Sequence, residues 1–174
     1  MQPRGLPIRG RPWLILHSAS HTAVLSGGPV LELPQRAVRL GPDILDDAPN
    51  LDRMVQNLRG TVPALALGEA LLDQRLVAGI GNVWRAEALW QARLSPWLPV
   101  GEASDEELLD VLREASHLMR ASLESGREAR AIYRRAGRPC PRCGDVIRSR
   151  GQGEDNRIAY WCPGCQRGPE PPAA

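Results

Sequence analysis

The sequence predicts an α+β chain in three parts, and three observations carry that expectation. Short apolar or alternating runs separated by turn residues fill the beginning, apolar residues at helical spacing fill the middle, and two Cys-x-x-Cys pairs bracket an arginine-rich stretch near the end. The boundaries follow the changes of pattern: 1–40 as β structure, 41–126 as a helical domain, 127–168 as a cysteine-held β-hairpin, and the Pro-rich 169–174 as a disordered tail.

Within the first part, "WLILHS", "TAVLS" and "PVLEL" are strand candidates, divided by "ASH" and by Gly27-Gly28-Pro29. Residues 1–12 are rich in Pro, Gly and Arg without periodicity, and 2–10 are expected to be an untethered lead. From Leu51 the period becomes helical: Leu51, Met54, Val55 and Leu58 recur at i, i+3, i+4 and i+7, and Gly60 ends the run. A second helix is expected from Leu67 or Gly68 to about Val77. A third runs from Val83 to about Ala92, with Asn82 as its N-cap behind Gly79 and Gly81. Ser104-Asp105-Glu106-Glu107 spells a capping box, and behind it Leu108, Val111, Leu112, Ala115 and Met119 trace one face until Gly126.

The last part is defined by Cys140, Cys143, Cys162 and Cys165, the only cysteines of the chain. Two such pairs can close a thiolate tetrahedron around zinc with no open position, so the predicted metal is a single structural Zn2+ that activates no water. Two disulfides are the competing use. They need an oxidising compartment, and no secretory apolar segment is present; the longest early apolar run is "WLIL". Strands are expected at Val146–Arg150 and Arg157–Trp161, joined by "GQGEDN".

Charge is uneven although the net is only +2. Residues 61–126 hold 5 Arg against 10 acids, whereas 127–168 hold 10 Arg against 4 acids. There is no lysine: all 22 basic side chains are arginine, whose forked guanidinium suits phosphate but cannot serve as an amine nucleophile. A helix N-terminus preceded by glycines also favours an anion, although plain capping would leave the same pattern. No run is apolar and long enough to span a membrane.

The stretch "EALLDQRLVAGIGNVWRAEAL", followed by "YRRAGRPCPRCG" and "NRIAYWCPGCQRG", resembles the formamidopyrimidine-DNA glycosylase and endonuclease VIII family, in particular its actinobacterial endonuclease VIII-like members. The likeness extends over about 36–168. It implies the remnant of a β-sandwich catalytic domain, then a helix-two-turns-helix domain, then a zinc-finger hairpin. The function it implies is base-excision repair by a bifunctional DNA glycosylase and abasic-site lyase. The implied partner is double-stranded DNA carrying a damaged base or abasic site, bound by a monomer in the nucleoid of a bacterial cytoplasm. By position, Asn82 with Gly79 and Gly81 matches the loop that holds phosphates beside the lesion, and Arg157 matches the hairpin-tip arginine.

The family's chemistry uses an N-terminal Pro-Glu and a lysine, and this sequence matches neither. No catalytic residue is therefore assigned, and the expectation is a damaged-DNA-binding half without the amine nucleophile. Two alternatives stand beside it: a non-catalytic damaged-DNA-binding zinc protein, and a zinc ribbon of an RNA or transcription complex. Trp84, Trp90 and Trp97 are expected in the core, and Glu69 and Glu87 at the surface or as caps.

Overall fold

Apolar periodicity becomes architecture in two compact units, Met1–Ala37 and Val38–Ala174. In this computed structural model the described residues are 2, 3, 7, 12–26, 39–128 and 130–171.

The first unit contains β1 (Gln2–Pro3), β2 (Pro12–His17) and β3 (His21–Ser26), antiparallel in the order β1-β3-β2. The β2–β3 turn is held by Ser18, whose backbone N–H donates to His21 O (2.9 Å) and whose Oγ accepts from His21 N (3.0 Å). The expectation of an untethered lead is corrected at Gln2 and Pro3, which pair with Thr22 and His21. Pro3 sits on an edge strand, where its missing N–H costs least. The third expected strand, "PVLEL", lies outside the described residues.

The second unit is built on helices α1 (Leu51–Arg59) and α4 (Asp105–Ser125). Asn50 Oδ1 accepts from Arg53 N (2.9 Å) to start α1, and its spaced residues Met54, Val55 and Leu58 are buried. The capping box forms in full: Glu107 N donates to Ser104 Oγ (3.2 Å), and Ser104 N donates to Glu107 Oε2 (2.8 Å). Gly126 takes the left-handed conformation (φ 66°) that ends α4. Leu108, Val111, Leu112, Ala115 and Met119 pack with α1 in the main core. Arg59 ties the two helices together, donating from Nε to Asp105 Oδ1 (2.8 Å) and from Nη1 to Val100 O (2.7 Å).

Between them the chain departs from the expected second helix. Helix α2 spans only Leu67–Ala70, and two turns follow before α3 (Asn82–Gln91). Side chains that compete with helical bonding explain the early stop. Asp73 Oδ1 accepts from Arg75 N (2.9 Å), and Gln74 folds back to accept from Gly79 N (2.8 Å) and donate to Ile80 O (3.0 Å). Ala78 instead extends beside Asp43, with Ile44 N donating to Ala78 O (3.0 Å).

The hairpin is β4 (Arg148–Gln152) against β5 (Arg157–Trp161), so the first strand begins two residues later than expected. Val146 bridges to Pro139, and Ile147 N donates to Arg138 O (2.9 Å); that segment is thereby used in the fold around the first cysteine pair. Gly153 (φ 72°) and Asn156 (φ 50°) take the left-handed positions of a four-residue turn. The tail expected to be disordered is corrected at its start: Ser95 Oγ donates to Pro169 O (2.7 Å), and Arg148 pairs with Glu170 (3.2 Å). Residues 172–174 lie outside the described ones.

Candidate nucleic-acid interface and metal centre

The four sulfurs of Cys140, Cys143, Cys162 and Cys165 lie within 4.8 Å of one another. Cys140–Cys165 and Cys143–Cys162 are 3.7 and 3.5 Å apart, far beyond a disulfide bond and near the edge of about 3.8 Å that a tetrahedron with 2.3 Å zinc–sulfur bonds requires. All four thiols are free, and the four-sulfur donor set is the one structural zinc takes. The arrangement is the site of one structural zinc ion. Backbone turns present the ligands: Gly144 N donates to Cys140 O (2.9 Å) with Gly144 at φ 81°, and Cys165 N donates to Cys162 O (3.2 Å). Burial acts to raise the Cys140 thiol, but N–H groups of Arg142, Cys143 and Trp90 turned toward its sulfur hold it down at about 6. Burial, followed by the neighbouring thiols, pushes Cys162 and Cys165 up. Metal binding displaces the protons these groups share.

The glycine loop meets the hairpin at the opposite end of α3. Asn82 is corrected from N-cap to first helical residue; Gly81, extended at φ −103°, is the N-cap position and offers no side chain. The Asn82 amide is turned to the hairpin instead and donates from Nδ2 to Ile158 O (3.0 Å) on β5. Its buried Oδ1 has no partner. The residue next to Ile158, Arg157, keeps its side chain 62% exposed, with only a long contact to Asp155 at 3.9 Å. The structure therefore brings Asn82 and Arg157, expected separately from two distant motifs, to one place.

Gly79 and Gly81 are glycines for different reasons. Gly79 has φ 98°, and an added Cβ would lie 3.1 Å from Ile44 Cγ2. Gly81 has an ordinary φ, and a Cβ there would meet nothing within 4 Å. Gly79→Ala should thus lower unfolding free energy by about 1–3 kcal/mol, whereas Gly81→Ala should cost no more than about 1 kcal/mol. Denaturant unfolding of both variants checks this, and equal losses would contradict it. The fold demands the first glycine and leaves room for a side chain at the second.

The burial of two charged residues was not visible to sequence reasoning. Arg85 is 1% exposed, donates from Nη1 to Gly68 O (3.3 Å) and Gln152 Oε1 (3.1 Å), and from Nη2 to Ile158 O (2.9 Å). It has no ion pair among the described residues, and burial drives its pKa down to about 10 while Glu69 opposes the shift. Its signal was its place, three residues after Asn82 on the same helix face. Glu87, expected at the surface or as a cap, is buried and caps a turn of another segment, accepting backbone N–H bonds from Ala131 (2.8 Å), Ile132 (3.1 Å) and Tyr133 (2.8 Å). It fastens α3 to the segment entering the metal site.

Comparisons with known proteins agree on one family and one fold. The family model described as the formamidopyrimidine-DNA glycosylase H2TH domain matches residues 40–133. A probable endonuclease 8 2 of Streptomyces coelicolor is 42% identical over 174 residues, covering 91% of this chain and 63% of that protein. A formamidopyrimidine-DNA glycosylase of Mycobacteroides abscessus is 36% identical, covering 80% and 54%. The crystal structure of MutM (Fpg) from Thermus thermophilus superposes with a TM-score of 0.65 at 33% identity, over 75% of this chain and 55% of that one. The Lactococcus lactis Fpg in complex with abasic-site DNA shares the fold at a TM-score of 0.65 and 21% identity, over 74% and 52%. The chain spans between about half and two thirds of the length of these relatives.

Proposed function

The chain belongs to the formamidopyrimidine-DNA glycosylase and endonuclease VIII family, and from that premise we propose that it grips duplex DNA at a damaged base or abasic site for base-excision repair. The observation that carries this is the bond from Asn82 Nδ2 to Ile158 O, which joins positions 76 residues apart and sets the start of α3 beside Arg157. A helix N-terminus leaves its first N–H groups without intrahelical partners and carries a partial positive charge, so an anion is favoured there. Arg157 adds an exposed fork for a neighbouring phosphate. Buried Arg85 contributes fixed positive charge beneath both without occupying the surface.

Gly81 supports the same reading, since open space around its Cα lets a sugar–phosphate backbone approach closely. Contacts of this kind fix position on the duplex and read no sequence, as a repair protein that must act in any sequence requires. Reaction chemistry is not assigned to any side chain of this chain; its part is the grip. The activity we propose for the repair protein is that of a DNA glycosylase and abasic-site lyase working in the bacterial nucleoid. Among the described residues no helix is long and apolar enough to cross a membrane.

Equilibrium binding to an abasic-site duplex, an intact duplex and RNA tests the proposal. Affinity should be highest for the abasic duplex and fall steeply with salt through counterion release. Arg157→Ala and Asn82→Ala should each weaken binding by about 1–3 kcal/mol, and Arg157→Ala should make the salt slope shallower by about one unit. Gly81→Ala, folded like its parent, should lose about tenfold. Wild-type affinity in all three variants, or a preference for RNA, would overturn the assignment.

A further inference from the structure

An indole buried among apolar side chains still needs an acceptor for its N–H. Trp90, on the last turn of α3, is 8% exposed, and its Nε1 lies 3.4 Å from Cys140 Sγ. Arg142, between the first two cysteines, stacks its guanidinium 3.9 Å from the centre of the same indole. Its Nη1 donates to Trp90 O (2.8 Å) and its Nη2 to Gln91 Oε1 (2.9 Å). The cation thus covers the ring face and also donates to the Trp90 carbonyl at the helix C-terminus, which accepts as well from Arg93 N (3.3 Å).

We infer that Trp90 is a positioning residue of the zinc centre: its indole N–H donates to the Cys140 thiolate and locks the metal site to the C-terminal end of α3. A zinc-bound thiolate keeps lone pairs and negative charge, and a donor placed on them fixes the ligand's direction and makes its sulfur a poorer target for protons and competing electrophiles. Arg142 over the ring draws electron density from the indole and strengthens its N–H as a donor. The other end of α3 is held by the hairpin through Asn82 and Arg85, which both bond to Ile158 O. Helix α3 is therefore clamped at both ends by the zinc unit, and loss of the metal loosens the end that carries the glycine loop as well as the end that touches the sulfur.

The full-length chain loaded with 113Cd, a soft ion that a four-thiolate site accepts in place of zinc, provides the test. One of the five tryptophan indole N–H resonances should show a scalar coupling to 113Cd through the N–H···S bond, and that resonance should disappear in Trp90→Phe. Chelator-driven release of zinc should be about tenfold faster from Trp90→Phe than from the parent. No coupling at any indole would overturn the proposal. So would a coupling accompanied by an unchanged release rate, because the bond would then exist without holding the site. If the variant does not fold, the coupling in the unmodified chain decides alone.

Discussion

Replacing Cys162 by alanine is expected to cost the protein its zinc, its hairpin order and its grip on DNA together. Cys162 is fully buried in a small cluster with Ala86, Trp90, Ile132, Cys140 and Ile147, too few side chains to fold the hairpin without metal. Structural zinc supplies about 10–16 kcal/mol of apparent binding free energy, most of which in such a unit is folding free energy. The main core of α1 and α4 shares none of those residues and should survive. Metal analysis should find less than one zinc per chain, and amide exchange across Arg157–Trp161 should lose its protection while α4 stays protected. Abasic-duplex affinity should fall to the level of any cationic protein, because Asn82 and Arg85 lose their acceptor on β5. An unchanged hairpin after this substitution, or after chelation, would refute the metal's structural role. Acid should act in the same direction, since thiolates that must shed protons to bind zinc hold it less tightly as pH falls.

Arg85→Ala should produce the second large effect, about 2–4 kcal/mol of lost stability. Removing the side chain leaves Gly68 O and Gln152 Oε1 without this donor and opens a void where α2, α3 and the hairpin converge. Relief of the guanidinium's burial offsets part of that loss, so Arg85→Met, which keeps the length and deletes the charge, should cost less. DNA affinity should fall at least tenfold in both, because the positive charge beneath the phosphate site is gone. Denaturant unfolding and duplex binding measured on both variants check this. A stability change below about 0.5 kcal/mol in Arg85→Ala would show that the three bonds contribute nothing net.

Local chemistry was legible in the sequence and long-range chemistry was not. The α4 capping box, the apolar face of α1 and the cysteine spacing each encode their geometry within a few residues, and each formed as expected. Helix α2 was overdrawn because Asp73 and Gln74 look acceptable in a helix until their side chains bond the backbone instead. The hairpin register slipped because Val146 has strand character, and its partner Pro139 could be found only in three dimensions. Arg85 and Glu87 were missed for a deeper reason. A charged residue on an amphipathic helix reads as solvated unless its partners are known, and those partners sit on segments 17 to 73 residues away. The same distance kept Asn82 looking like a cap: its acceptor belongs to a hairpin that zinc must first fold.

Most directly at issue is whether the start of α3 and the tip of the zinc hairpin form one DNA-gripping surface. Titrating the 15N-labelled, zinc-loaded chain with an abasic-site duplex and following amide shifts settles it. The account predicts that the largest shifts fall together on residues 79–83 and 156–159 and saturate at a single affinity. Shifts concentrated on the outer face of α4, or a response in one of the two segments without the other, would contradict it.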